Sequence, residues 1–307
     1  MNTDMNETPS IPPAPLSATR PLYWSVRREL WENRSIYIAP LITAGVVLFG
    51  FAISIIGLPG RRRAALLLDP ARQRAAVEMP YDAAAMMLIL TAFIVGVFYC
   101  LDALHGERRD RSILFWKSLP VSDLTSVLSK AIVPLVILPL LTFVIALVTQ
   151  FIMLLMSTAV LLPSGLGGTT WRILPYMQMS VVLLYGLITM ALWQAPIFGW
   201  LLVVSGWAKR ATFLWAFLPW AAVCVVERIA FNTSHFAGFL GRRLTGGFDD
   251  AFVGFKQAHR GVIPVVDQLS QLAPLQFLSS PGLWLGLISA AAFLAAAIYL
   301  RRSRGPL

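Results

Sequence analysis

The chain has 307 residues, 57% of them hydrophobic and 13% charged, with a mean hydropathy of +0.71. Soluble domains are roughly 45–50% apolar and about 25% charged, so this balance argues against an ordinary soluble enzyme and marks a membrane protein. A net charge of +10 would suggest nucleic acid in a soluble chain, but no basic-aromatic module or recognition-helix pattern accompanies it, and no nucleic-acid partner is expected.

In chain order, residues 1–20 are polar, carry Pro9, Pro12, Pro13 and Pro15, and lack the apolar core of a secretory leader. A disordered cytoplasmic tail is expected there. From Leu22 to Arg34, Leu22, Val26 and Leu30 share one helical line with Tyr23 beside it. Arg28, Glu29 and Glu32 occupy another side, the pattern of an amphipathic interfacial helix.

A helix needs about 20 apolar residues to cross the hydrocarbon core, because its backbone polar groups must be satisfied within the segment. Six stretches qualify: Ile36 to Leu58, Ala83 to Leu104, Ala131 to Ser157, Tyr176 to Ser205, Thr212 to Phe231 and Gly282 to Leu300. Pro134, Pro139 and Pro196 are expected to kink the third and fourth without ending them. Cys100 and Cys224 fall inside spans and read as small packing residues. Gly282, Gly286 and Ala290 form a small-residue stripe on the last span, suited to close packing within one subunit or between two. The expected fold is an all-α polytopic membrane protein: one transmembrane domain over residues 21–307 with six transmembrane helices, an N-terminal amphipathic interfacial helix, and an outer helical segment before the last span.

Orientation follows from Lys and Arg, which favour cytoplasmic loops. Arg20, Arg27, Arg28, Arg34, Arg108, Arg109, Arg111, Lys117, Lys130, Lys209, Arg210, Arg301, Arg302 and Arg304 place the N-terminus and C-terminus inside, against the opposing vote of Arg61, Arg62 and Arg63. Residues 232–280 then form a long outer loop, mixed in polarity, whose apolar pieces Phe236 to Leu240 and Val262 to Val266 suggest short helices.

The longest inside loop begins GERRDRSILFWKSLP, Gly106 to Pro120. Wound as a helix, Asp110 to Leu119 gathers Ile113, Phe115, Trp116 and Leu119 on one side, and leaves Leu114 among Asp110, Arg111, Lys117 and Ser118. A charge-rimmed surface holding an apolar residue has the anatomy of a small protein contact. A solvated loop whose charges enforce topology is the blander alternative. Pro120 stops the helix, and Ser122 or Asp123 can cap the next.

The run LDALHGERRDRSILFWKSLPVSDLTSVLSK, Leu101 to Lys130, resembles the loop between the second and third spans of type-2 ATP-binding cassette (ABC) exporter permeases. There a Glu-Arg-rich run, a short coupling helix and a Leu-Pro-Val-Ser turn follow in that order. The six spans and the amphipathic N-terminal helix agree more loosely. The resemblance implies a permease subunit in a bacterial inner membrane whose cytoplasmic coupling helix docks on a separate ATPase subunit, paired with a second permease copy or homologue and surrounded by membrane lipids. Carried over, Glu107, Arg108, Arg109, Asp110, Arg111, Ser112, Ile113, Leu114, Phe115 and Trp116 would form the ATPase contact. ATP and Mg would be bound by the partner, with no cofactor in this chain.

The chain's own chemistry is consistent with that division. The phosphate-cradling pattern G-x-x-x-x-G-K-[ST] is absent, His105, His235 and His259 are isolated, and neither H-E-x-x-H nor G-x-S-x-G occurs. No carboxylate pair is placed within the spans for acid–base work, so an enzyme is not expected, and the absence of a fully buried charge there argues against a proton-driven carrier. Gln150, Gln178, Tyr185 and Gln194 either line a substrate path or join helices by hydrogen bonds. Asp102, Glu227 and Arg228 sit near span ends, where local pairing suffices. A membrane anchor that recruits a cytoplasmic partner through the same loop, without moving a solute, is the rival reading.

Overall fold

The computed structural model describes residues 19–112, 114, 122–253 and 269–304. Among these the secondary structure is helical, with one isolated antiparallel bridge, Phe252 to Leu272. Six helical stretches are long and apolar enough to cross a membrane. The protein is therefore an all-α, multi-pass membrane protein.

Helix α1, Thr19–Glu32, leads into the first span, α2, Ser35–Ser54. A 3-10 turn, Ile55–Gly57, then passes into the short α3, Leu58–Ala65. The second span, α4, is Pro70–Ala103, so it starts thirteen residues before the expected Ala83. The cause is local: Asp69 caps it by accepting from the Arg72 amide, and Pro70 occupies the first turn, where its missing N–H costs nothing.

After α4 comes the one-turn α5, His105–Arg109. The third span is assembled from α6, Asp123–Ile132, a π-helical turn, Val133–Ile137, and α7, Leu138–Leu161. Pro134 lies in that π turn and Pro139 just beyond it, so the expected distortion takes the form of a wider turn that keeps the helix continuous. Helix α8 is Thr169–Ile173, the fourth span α9 is Tyr176–Trp207, and the fifth span α10 is Thr212–Phe231. Pro196 stays inside α9.

The segment before the last span holds α11, His235–Thr245, α12, Gly247–Ala251, and α13, Pro274–Ser279. The expected helix at Phe236 to Leu240 is thus present, while Val262 to Val266 lies outside the described residues. The last span is α14, Pro281–Ser303.

Helix α9 is the central post. Most of its apolar window is buried, whereas that of α10 is almost wholly exposed. Against α9 lies α14, approaching so closely that a Cβ placed on Gly199 would sit 3.2 Å from the Phe293 Cβ and 3.4 Å from the Ala290 carbonyl oxygen. The small-residue stripe of α14 is used within the chain: Gly282 faces the Trp193 ring, and Gly286 is covered by the Arg243 side chain.

One apolar core joins α4, α6, α9 and α14 around Leu101, Leu104, Val127, Leu202 and Ala297. A second joins α2, α4 and α7 around Phe51, Tyr81, Met153 and Leu154. A third holds α12 and α13 against α9 and α14 through Trp193, Phe252, Phe277 and Leu283.

Candidate functional site: an ion network at one end of the bundle

Helix α1, α5, the start of α6 and the end of α14 meet at one end of the bundle. The sequence placed Glu29 on a polar side of α1 away from the apolar line. In the structure Glu29 is only 1% exposed and faces the protein together with half-buried Leu22, Val26 and Leu30, while Tyr23, Trp24 and Trp31 are exposed. The reason is a set of partners remote in sequence. Lys130 Nζ donates to Glu29 Oε1 at 2.8 Å, Arg28 donates to the same oxygen at 2.8 Å, and the Tyr99 hydroxyl donates to Oε2 at 2.9 Å.

Glu107 is the second carboxylate of the network. Its Oε1 lies 3.1 Å from Arg28 Nη2 and 3.2 Å from Lys130 Nζ, and its Oε2 lies 3.3 Å from Arg301 Nη2. Three cations from α1, the third span and the last span thus converge on one residue of α5. Arg301 also pairs with Asp123 at 2.7 Å. Counting Glu29, Glu107 and Asp123 against Arg28, Lys130 and Arg301, charge balances, which a buried network requires. Burial pushes the Glu29 carboxyl up, but Lys130, Arg28 and Tyr99 outweigh it and hold the carboxyl below its ordinary range.

The helix break between α4 and α5 is satisfied by α9. The buried Ser205 hydroxyl accepts from the backbone N–H groups of Leu104 and His105, at 3.0 and 2.9 Å. Arg108 donates to the Gly206 carbonyl at 2.7 Å and Arg304 to that of Trp207 at 2.8 Å, so two guanidinium groups cover the carbonyl end of α9.

The expected contact residues therefore divide into two sets. Glu107 and Arg108 are buried and committed within the chain. Arg109, Asp110, Arg111 and Leu114 are exposed, with Ser112 half-buried. Ile113, Phe115 and Trp116 lie outside the described residues, as does the Pro120 stop. Asp110 and Arg111 are not helical: α5 ends at Arg109, and Arg111 has φ of 57°, a left-handed conformation unfavourable for a residue with a Cβ; beyond it Ser112 and Leu114 are helical, and the rest of the helix expected to Leu119 lies outside the described residues. Ser122 caps α6 by accepting from the Thr125 amide at 3.1 Å, as expected, while Asp123 is taken by Arg301.

The four polar span residues do not share a cavity among the described residues. Gln150 donates to the Tyr81 carbonyl at 3.1 Å and joins α7 to α4. Tyr185 donates to the Ala251 carbonyl at 3.1 Å and packs edge-on against Phe252. Gln178 is exposed. Gln194 alone lines an open groove beside the π turn, bordered by Phe93, Pro134, Leu138 and Phe198.

Buried charges do occur just beyond the stretches read as spans, where Glu78, Lys130 and Arg301 are buried. Near its end of α10, Glu227 accepts from the Thr233 hydroxyl and from the His235 and Phe236 amides, at 2.8, 2.7 and 2.9 Å, which is local pairing as expected. No metal-ligating cluster occurs among the described residues.

No protein-family model matches the chain, and neither a curated protein nor a solved structure matches it.

Proposed function

We propose that the chain is the permease subunit of an ATP-binding cassette exporter in a bacterial inner membrane, with both termini cytoplasmic. In this reading a separate ATPase subunit binds ATP and Mg, hydrolyses the nucleotide, and pushes on the loop after α5; a second permease copy or homologue completes the translocation path.

The observation that supports this best is the attachment of Glu107. A push on exposed Arg109, Asp110, Arg111 and Leu114 reaches, two to seven residues back along the chain, a carboxylate paired to α1, α6 and α14. Buried pairs resist separation because each partner left alone keeps an uncompensated charge. The loop is thus joined to the spans by ionic contacts as well as by chain continuity, and displacement of α5 pulls on three other elements together. Arg111, with its left-handed backbone, marks where the outward-facing part of the loop turns away from the anchored part.

The test is co-expression with a P-loop ATPase followed by flux measurement in sealed vesicles. ATP-dependent solute movement that is lost in Leu114→Asp, with the protein still in the membrane, supports the permease. Partner binding with no flux under any condition favours the anchor. Stimulated hydrolysis and transport both unchanged in Leu114→Asp and Trp116→Ala contradict the proposed contact.

A further inference from the structure

At the end of the bundle opposite the ion network, Arg62 of α3 is only 5% exposed. Its Nη2 donates to the Thr170 hydroxyl at 3.1 Å, while Nε and Nη1 are buried and have no hydrogen-bond partner among the described residues. No ion pair reaches it there either; the titratable side chain acting on it is the phenol of Tyr81, which shares a hydrogen bond with Ser157 at 3.2 Å. Lys130 and Arg301, buried as deeply, each have a carboxylate partner. A buried guanidinium without one carries an uncompensated charge and unmet donors, a costly arrangement unless an anion is supplied from outside the chain.

The surroundings indicate the source. Directly after α3, Leu66, Leu67 and Leu68 are all exposed, the middle one 89%. Trp171, next to Thr170, is half exposed and donates its indole N–H to Thr158. Exposed leucines beside arginines, with an exposed Trp at the same level, are the composition of the boundary between acyl chains and headgroups. We propose that Arg62 and Thr170 form a binding site for a phosphate oxyanion, supplied by the headgroup of an anionic phospholipid. Entry requires the short helices α3 and α8 to shift, since protein atoms now cover the free nitrogens. This site is independent of the transport reading.

The experiment compares thermal unfolding midpoints in nanodiscs of phosphatidylcholine with and without phosphatidylglycerol. The wild-type protein is expected to gain several degrees from phosphatidylglycerol, the scale of filling one site. Arg62→Met abolishes the gain, Arg62→Lys keeps part of it, and Arg63→Gln, at an exposed neighbour, keeps it all. A gain from inorganic phosphate at fixed ionic strength in pure phosphatidylcholine, also lost in Arg62→Met, supports the site with a soluble anion as its source. Should Arg62→Met not fold, native mass spectrometry of the wild-type protein reads selective retention of one phosphatidylglycerol over phosphatidylcholine. No gain and no selective retention, or a gain undiminished in Arg62→Met, overturns the proposal.

Discussion

Lys130 Nζ lies 2.8 Å from Glu29 Oε1, although the two residues are 101 positions apart and neither side chain is more than 3% exposed. The same ammonium reaches Glu107 at 3.2 Å, so it holds α1 and α5 to the start of the third span. Lys130→Met leaves both carboxylates short of a cation and is expected to cost about 3–5 kcal/mol. Glu29→Gln combined with Lys130→Met is expected to be less damaging than the sum of the single changes. Thermal unfolding of the four forms in one detergent checks this as a double-mutant cycle; strict additivity would show that the pair does not act as a unit.

Acid should weaken the same contact. The Glu29 carboxyl is held below its ordinary value of 4.5, so its contribution is present above that value and is lost as pH falls through the lowered one. The wild-type unfolding midpoint is expected to change little from neutral pH to about pH 5 and then fall. Glu29→Gln starts lower and falls less steeply over the acidic window, so the two curves converge. Parallel curves would remove Glu29 from the acid response.

The segment before the last span is fastened at Trp193. The Arg243 guanidinium carbon sits 4.7 Å from that ring's centroid and the side chain donates to the Gly282 carbonyl at 3.0 Å, while the indole N–H donates to the Arg242 carbonyl at 3.1 Å. Trp193→Ala is expected to cost about 3–5 kcal/mol. Hydrogen exchange should show the loss concentrated in α11 and α12, with α5 and α6 unaffected; equal loosening at both ends would indicate that α9 itself had unravelled.

Close packing of α9 and α14 predicts a different failure for Gly199→Val. A Cβ there already meets Phe293 and Ala290, and overpacking of this kind costs about 1–3 kcal/mol. Gly45→Val, on a surface where an added Cβ meets nothing within 4 Å, is the control. A comparison of unfolding midpoints tests the pair, and equal effects would contradict the tight seam.

Periodicity and span length made the six helices legible, because the bilayer demands a long apolar run whatever the tertiary contacts. Local chemistry also carried the Ser122 cap and the π turn's prolines. The earlier start of α4 was written in Asp69-Pro70, an N-cap followed by a first-turn proline, a signal masked by the polar residues that follow it. The ion network was not legible in this way. Glu29 read as the polar side of an amphipathic helix, Glu107 as part of the ATPase contact and Lys130 and Arg301 as span-flanking charge, and only the approach of four distant elements turns them into buried pairs. Nor does spacing reveal that Glu107 and Arg108 turn inward while Arg109 faces out, since that is decided by the pairing of Glu107 with Arg28, Lys130 and Arg301 and of Arg108 with the Gly206 carbonyl.

In the proposed permease the loop bearing Leu114 faces the cytoplasm, where an ATPase can push on it. The most direct measurement is labelling of Leu114→Cys with a membrane-impermeant maleimide, in a background where Cys100 and Cys224 are replaced by Ser. Leu114 is 57% exposed, so access depends on sidedness. Labelling is expected in inverted membrane vesicles, with protection in intact cells; labelling in intact cells would put the loop on the wrong side for an ATPase and rule out the proposed coupling.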